Sequence, residues 1–167
     1  KIKKYNSKNQ HLKKGIAITP VKFGISFTTT SLNQAGALVH IYTDGSVHLN
    51  HGGIEMGQGT LTKIAQLTAY ELGLPLDKIK VTATNTEKVP NTSASAASAT
   101  TDLNGAAVLN AINKIKKNLH TFACKKYNLS KKNVLYNNEI VKFKDKSFKF
   151  IDLIKEAYLN RIPLSAT

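Results

Sequence analysis

The sequence predicts an α+β fold, with α/β layering in which helices pack on mixed sheets built partly from hairpins, and three observations lead there. Ala35 to Thr43 and Ser46 to Asn50 are two runs of good strand residues joined across Asp44-Gly45, a pair that supplies the positive φ of a two-residue hairpin turn. Leu61, Ile64, Ala65, Thr68 and Leu72 then recur at helical spacing ahead of another strand run, Ile79 to Thr84, which makes a strand–helix–strand unit. Finally, Leu103, Ala106, Ala107, Ile112, Ile115, Leu119 and Phe122 form the apolar face of a long helix running from an Asp102 N-cap to about Lys126.

Taken in order, residues 1–14 carry Lys3-Lys4, Lys8 and Lys13-Lys14 with little apolar periodicity, and read as a surface lead-in with a helical turn around Tyr5. Gly15 to Ile18 is a short apolar strand stopped by Pro20. Lys22 to Phe27 alternates with period two, so Phe23, Ile25 and Phe27 share a face. Thr28 to Ser31 sets four hydroxyls in a row, which suits an irregular segment. The hairpin's second strand runs straight into a glycine-rich loop, His51 to Thr60, and the helix that follows ends at Leu72, where Gly73 is the C-cap and Pro75 blocks continuation. Gly105 inside the long helix costs about 1 kcal/mol against alanine and marks close packing. Val134 to Tyr136 and Glu139 to Phe143 flank Asn137-Asn138 as a second hairpin, and Ile151 to Asn160 is a final helix before Pro163.

A formal charge of +14 raises nucleic acid as a partner. Arg161 is the only arginine, however, and the lysines are scattered among asparagine and isoleucine rather than interleaved with stacking aromatics. A solvated basic face, of the kind AT-rich coding produces, is the expectation. No run approaches the roughly 18 consecutive apolar residues of a membrane span, and Lys1 opens no signal-like apolar segment. The single Cys124 excludes an intrachain disulfide and a cysteine-built metal site, and reads as a small buried hydrophobe on a helix. A reduced, cytoplasmic setting is expected, with neither a membrane nor nucleic acid as partner.

The chemistry concentrates in two stretches. His51-Gly52-Gly53-Ile54-Glu55-Met56-Gly57-Gln58-Gly59-Thr60 packs four glycines around one neutral amide, at the start of a helix whose unpaired N–H groups favour an anion. Thr92 to Thr101 contains nothing larger than threonine, so backbone amides and hydroxyls can come close to a buried ligand. Gln58 is the residue to single out, because an amide offers two donors and an acceptor without adding charge. Glu55 is expected to hold the loop in shape rather than act as a base. His40, His48 and His51 have no carboxylate to complete a metal set and read as structural or surface histidines.

Phe23-Gly24-Ile25-Ser26-Phe27-Thr28, Leu32-Asn33-Gln34-Ala35-Gly36-Ala37, Tyr42-Thr43-Asp44-Gly45-Ser46, Gly52-Gly53-Ile54-Glu55-Met56-Gly57-Gln58-Gly59, Val89-Pro90-Asn91-Thr92-Ser93 and Asp102-Leu103-Asn104-Gly105 occur in this order. With these motifs the chain resembles the xanthine dehydrogenases and, more broadly, the molybdenum hydroxylases; it looks closest to the separate molybdopterin-binding subunit of the bacterial enzymes. The likeness covers nearly the whole chain, is dense from Gly15 to Gly105 and is looser beyond. It implies a partial molybdopterin-binding domain over residues 1–167: the lead-in at 1–14, a cofactor-binding core at 15–127, and a hairpin with a helix at 128–167.

The resemblance implies that Met56, Gly57, Gln58 and Gly59 lie against a molybdenum–molybdopterin cofactor, with Ala96, Ala97, Ser98 and Thr100 as the second cofactor segment and Gln58 and Ala97 near the metal. Phe27 and Thr28 match substrate-binding positions. The implied reaction is hydroxylation of hypoxanthine or xanthine at a carbon next to nitrogen, leading to urate, with the hard chemistry carried by the cofactor. The alternatives are a hydroxylase of aldehydes or other N-heterocycles, and a non-catalytic remnant or binding domain. Implied partners are iron–sulfur (2Fe-2S) and flavin (FAD) modules in other domains or subunits, NAD as electron acceptor, and an oligomeric assembly. Ile54 stands where threonine is common and Ser31 where a bulkier residue often closes the pocket, so substrate preference is expected to differ. No catalytic base falls within the chain. The family's glutamate is expected beyond Thr167 and its substrate-binding arginine upstream, which makes the chain an interior fragment.

Overall fold

The lysine-rich lead-in forms helix α1 (Ile2–Lys8), none of whose residues is buried, in the computed structural model, which describes residues 1–22, 24, 25, 27–88, 92–130 and 132–167. The described residues of the following stretch form neither expected strand. Gly15 to Ile18 is irregular, with Ile16 82% and Ile18 88% exposed, and Lys22, Gly24, Ile25 and Phe27 are exposed and belong to no strand. The expectation at Phe23 lies outside the described residues, as do the Ser26 and Val89-Pro90-Asn91 positions of the motifs. The physical reason for the correction is that alternation marks a face to be covered, while a strand also needs a neighbour to take its backbone bonds, and among the described residues no strand lies beside this stretch.

Strands β1 (Ala37–Ile41) and β2 (Val47–His51) form the expected antiparallel hairpin, with Ile41 opposite Val47 and Ala37 opposite His51. The turn has three residues rather than two. The amide of Tyr42 donates to the Ser46 carbonyl, that of Gly45 donates to the Tyr42 carbonyl, and Gly45 alone of the turn takes a positive φ, +82°. Asp44 does a different job: its carboxylate accepts the Ser46 amide at 2.9 Å and the Ser46 hydroxyl at 2.6 Å, an Asx-type closure that replaces a second left-handed residue.

Helix α2 (Thr60–Leu72) follows the glycine loop and ends on Gly73, left-handed at φ +63°, as its spacing predicts. Strand β3 is shorter than expected, Ile79–Val81, and lies parallel to β2, which completes the strand–helix–strand unit. Helix α3 runs from Thr100 to Tyr127. Its N-cap is Ala99 rather than Asp102; of the expected apolar face Ile112, Ile115, Leu119 and Phe122 are buried, Leu103 and Ala107 half-buried and Ala106 exposed, with Asn104, Gly105, Val108, Ala111 and Ala123 completing the buried side. Gly105 earns its place: a Cβ there would press on Leu67 of α2 at 3.2 Å. Cys124 is half-buried against the core.

The second hairpin, β4 (Leu135–Asn137) and β5 (Ile140–Lys142), gains a third strand that patterning missed, β6 (Ser147–Lys149), before helix α4 (Phe150–Leu159). A two-residue strand β7 (Ser165–Ala166) closes the main sheet in the order β3-β2-β1-β7. Both short strands lack the length that alternation needs to be seen. One face of the main sheet, carrying Val39, Ile41, Val47, Leu49 and His51, is covered by α2 and α3, and the resulting core continues through Val141, Phe143, Phe150 and Leu153 of the second sheet and α4. An ion pair between Lys116 and Glu71 at 2.9 Å ties α3 to α2. Among the described residues no helix is long and apolar enough to cross a membrane.

Candidate functional site

The glycine loop emerges from the buried end of β2, and its backbone donors are taken up residue by residue. The Gly52 amide donates to Asn104 Oδ1 on α3 at 3.1 Å, the Gly53 amide to His51 Nδ1 at 3.1 Å, and the Ile54 amide to Ser95 Oγ at 2.9 Å. Glu55 Oε1 accepts the amides of Gly57 and Gly59, both at 2.9 Å, and its Oε2 accepts that of Leu61 at 3.0 Å. The loop therefore carries its own anion: of the first amides of α2, that of Leu61 is taken by Glu55 rather than left for an external group. These three donors, that of Leu61 foremost, hold the Glu55 carboxyl below its ordinary pKa, so the exposed side chain is a fixed carboxylate, in keeping with a role in loop shape.

Gln58 is folded back on the same loop. Its Oε1 accepts the Met56 amide at 2.6 Å and its Nε2 donates to the Ile54 carbonyl at 2.8 Å, so the partners themselves set which way the amide faces and leave one N–H free. The four glycines serve two ends. Gly57 and Gly59 take φ of +95° and +78°, with open space where a Cβ at Gly57 would stand. Gly52 and Gly53 instead allow close approach: a Cβ on Gly52 would sit 2.1 Å from Thr92 Oγ1, and one on Gly53 would sit 2.9 Å from Thr100 Cγ2.

The small-residue stretch is thus brought directly onto the loop. It is also tied to the segment after Phe27, since the amide of Ser93 donates to the Gln34 carbonyl and the amide of Gln34 donates to Ser93 Oγ, both at 2.9 Å. Ala97 and Ser98 adopt φ of +52° and +56°, a left-handed conformation that costs a non-glycine residue roughly 1–2 kcal/mol each. Helix α3 then starts without any side chain on its first amides among the described residues. Phe27 and Ala96 line one small cavity of about 80 Å³ with Leu32, Asn33, Ala99 and Leu103. That is well below the roughly 300 Å³ at which ligand pockets begin, so these residues form a wall rather than a closed pocket. Larger clefts, of about 630 Å³ beside Gly73 and Tyr136 and about 750 Å³ beside Tyr42 and Arg161, include no residue of the loop.

Of the residues predicted for the site, Met56, Gly57 and Gln58 are exposed on the loop with Gly59 half-buried; Ala96 and Ser98 are exposed, Ala97 and Thr100 half-buried; Phe27 and Thr28 are exposed. Phe27 and Ala96 line the same small cavity, and Thr100 stands close against Gly53. His51 lies on the core face of β2 while His40 and His48 pair across the opposite face, where His48 Nε2 bonds Thr82 Oγ1 at 3.0 Å. Sequence reasoning missed Asn104, Ser95, Thr92 and Thr84, whose hydroxyl donates to the carbonyls of His51 and Gly53. Thr92 and Ser95 fall inside the small-residue stretch that the sequence does point to, and Asn104 left a signal as a polar residue on the otherwise apolar side of a helix; Thr84 left none.

The junction fits an added group. Among the described residues the buried side-chain polar atoms without a partner are Asn50 Oδ1, His51 Nε2 and Thr92 Oγ1, all bracketing the loop, and such atoms persist mainly where function requires them. Burial keeps the His51 imidazole below its ordinary pKa and hence neutral.

The family model described as a molybdopterin cofactor-binding domain matches residues 1–167. A xanthine dehydrogenase/oxidase from Gallus gallus is 48% identical over 99% of this chain, and xanthine dehydrogenase 1 from Arabidopsis thaliana is 47% identical over 97%. The chain spans only 11% and 10% of those two proteins. Among solved structures, the reconstituted CO dehydrogenase from Oligotropha carboxidovorans superposes with a TM-score of 0.71 at 27% identity, over 80% of this chain and 18% of that one. The chain belongs to the molybdopterin cofactor-binding domain family of molybdenum hydroxylases, with xanthine dehydrogenases among its relatives.

Proposed function

We propose that this chain is an interior part of a xanthine dehydrogenase that hydroxylates hypoxanthine and xanthine beside a ring nitrogen. The observation that carries the reading is the junction of three segments, 27–34, 51–60 and 92–101, which leaves small residues and one oriented amide facing outward. Met56, Gly57, Gln58 and Gly59 meet molybdopterin from one side and Ala96, Ala97, Ser98 and Thr100 from the other, with Gln58 and Ala97 nearest the molybdenum. When bound, the group supplies the two-electron oxidation and the oxygen transfer. The chain positions. The free Gln58 N–H donates to an acceptor oxygen without adding charge, the left-handed Ala97 and Ser98 expose backbone amides at the uncapped start of α3, and Phe27 covers one face of a planar ring.

The general-base glutamate, the substrate-binding arginine, the iron–sulfur clusters, the flavin and the NAD site belong to the rest of a cytoplasmic, oligomeric enzyme, of which this chain is about a tenth by the length of its relatives. Purified whole enzyme is expected to turn over xanthine in preference to aldehydes and other N-heterocycles; preference for either of those would replace the purine assignment. Gln58→Ala in that enzyme depresses turnover more than it lowers thermal stability. Wild-type turnover of the variant with molybdenum fully loaded would remove Gln58 from the site. Residues 1–167 alone are inactive, and xanthine turnover by them would refute the division of labour.

A further inference from the structure

We infer that Glu55 is a positioning residue whose carboxylate moulds the Met56–Gly59 segment and through it aims the Gln58 amide. The inference rests on the cofactor reading of the site and adds to it what holds the cofactor-facing loop in shape.

The loop is arranged around the carboxylate. Glu55 gathers the amides two, four and six residues ahead of it, at 2.9, 2.9 and 3.0 Å. For donors at that spacing to converge on one side chain, the intervening backbone must turn inward twice. It does so at Gly57 and Gly59, whose φ of +95° and +78° lie where only glycine sits without strain. Successive amides wrapped in this way form an anion-binding concavity, and here the anion is internal. Gln58 lies between the two glycines, so its side-chain bonds to Met56 and Ile54 depend on the same turn. Lys63, one turn into α2, adds a favourable charge to the carboxylate's surroundings.

Two consequences follow. Removing the carboxylate lets the loop open and misdirects Gln58, although Glu55 itself touches no cofactor atom. Cofactor loading also depends on the Glu55 carboxylate through the loop it shapes, and a small free carboxylate can take its place among the same three amides.

Glu55→Ala and Glu55→Gln test this in the whole enzyme and in residues 1–167. Glutamine keeps the length but puts an NH₂ against at least one backbone donor, so both variants lose part of the cradle while the exposed position leaves the fold intact. Amide exchange at Gly57, Gly59 and Leu61 is expected to accelerate about tenfold, the scale of one lost charge-assisted hydrogen bond. Molybdopterin content of the purified enzyme should fall, and acetate should partly restore both readouts in Glu55→Ala but not in wild type, because it re-enters the vacated cradle. Unchanged exchange at the three amides overturns the inference, as does full cofactor retention by both variants. A wild-type enzyme that carries no molybdopterin would instead sink the cofactor reading, while leaving the exchange result to decide the role of Glu55.

Discussion

Helices α2 and α3 both begin at the site, and their first turns are furnished in opposite ways. Ahead of α2, Glu55, Gln58, Ser95, Asn104 and His51 take the amides of Gly52, Gly53, Ile54, Met56, Gly57, Gly59 and Leu61, and the positive-φ positions are glycines, so the segment holds its own shape before anything binds. Ahead of α3, the positive-φ positions are Ala97 and Ser98, which pay a conformational cost that glycine would avoid, and no side chain caps the helix. A relaxed, closed loop beside a strained, open one teaches that rigidity and availability are assigned to different segments. Strain of this kind persists where a bound group repays it.

The contrast can be broken or sharpened by substitution. The largest effect is expected where the two segments touch. In Gly52→Ala the new Cβ would overlap the Thr92 side chain at 2.1–2.4 Å, costing up to about 3 kcal/mol of overpacking, and Thr92→Gly should recover most of it in a double-mutant cycle followed by urea unfolding. Asn104→Ala, which strands the buried Gly52 amide, should cost about 2 kcal/mol in the same assay. Ala97→Gly has the opposite sign: relief of the left-handed alanine should stabilise the chain by about 1 kcal/mol, a rise in Tm of about 2–4 °C.

The smallest effect is a pH dependence from His51. Burial lowers its pKa in the folded state, so the unfolded chain takes up a proton first as the pH drops below 6.5. Stability is full above that value and declines as the pH falls toward the folded-state pKa, then levels. Burial acts on His48 in the same direction, so denaturation midpoints between pH 8 and 5 should show this slope in the wild type and a shallower one in His51→Gln.

The hairpin, the strand–helix–strand unit, Gly73 as a C-cap and Gly105 as a packing glycine were legible because each rests on a local rule of spacing or φ. The stretch from Gly15 to Phe27 misled because its alternation says which side chains share a face, never what lies opposite them. Strands β6 and β7, three and two residues long, are too short to show a period. At the site, glycine content pointed to the right loop and to close approach, but not to what approaches: Gly52 and Gly53 admit Thr92 and Thr100, contacts that close only when residues some forty positions apart fold together. The start of α3 was misassigned to Asp102 because a capping side chain is the usual signal, and this helix begins without one.

The central claim, that the two segments divide closure from availability, is tested most directly by hydrogen exchange of the whole enzyme with and without its molybdopterin. Loading should slow exchange strongly at residues 97–102 and leave Gly57, Gly59 and Leu61, already held by Glu55, nearly unchanged. Strong new protection at those three amides with none at 97–102 would contradict it.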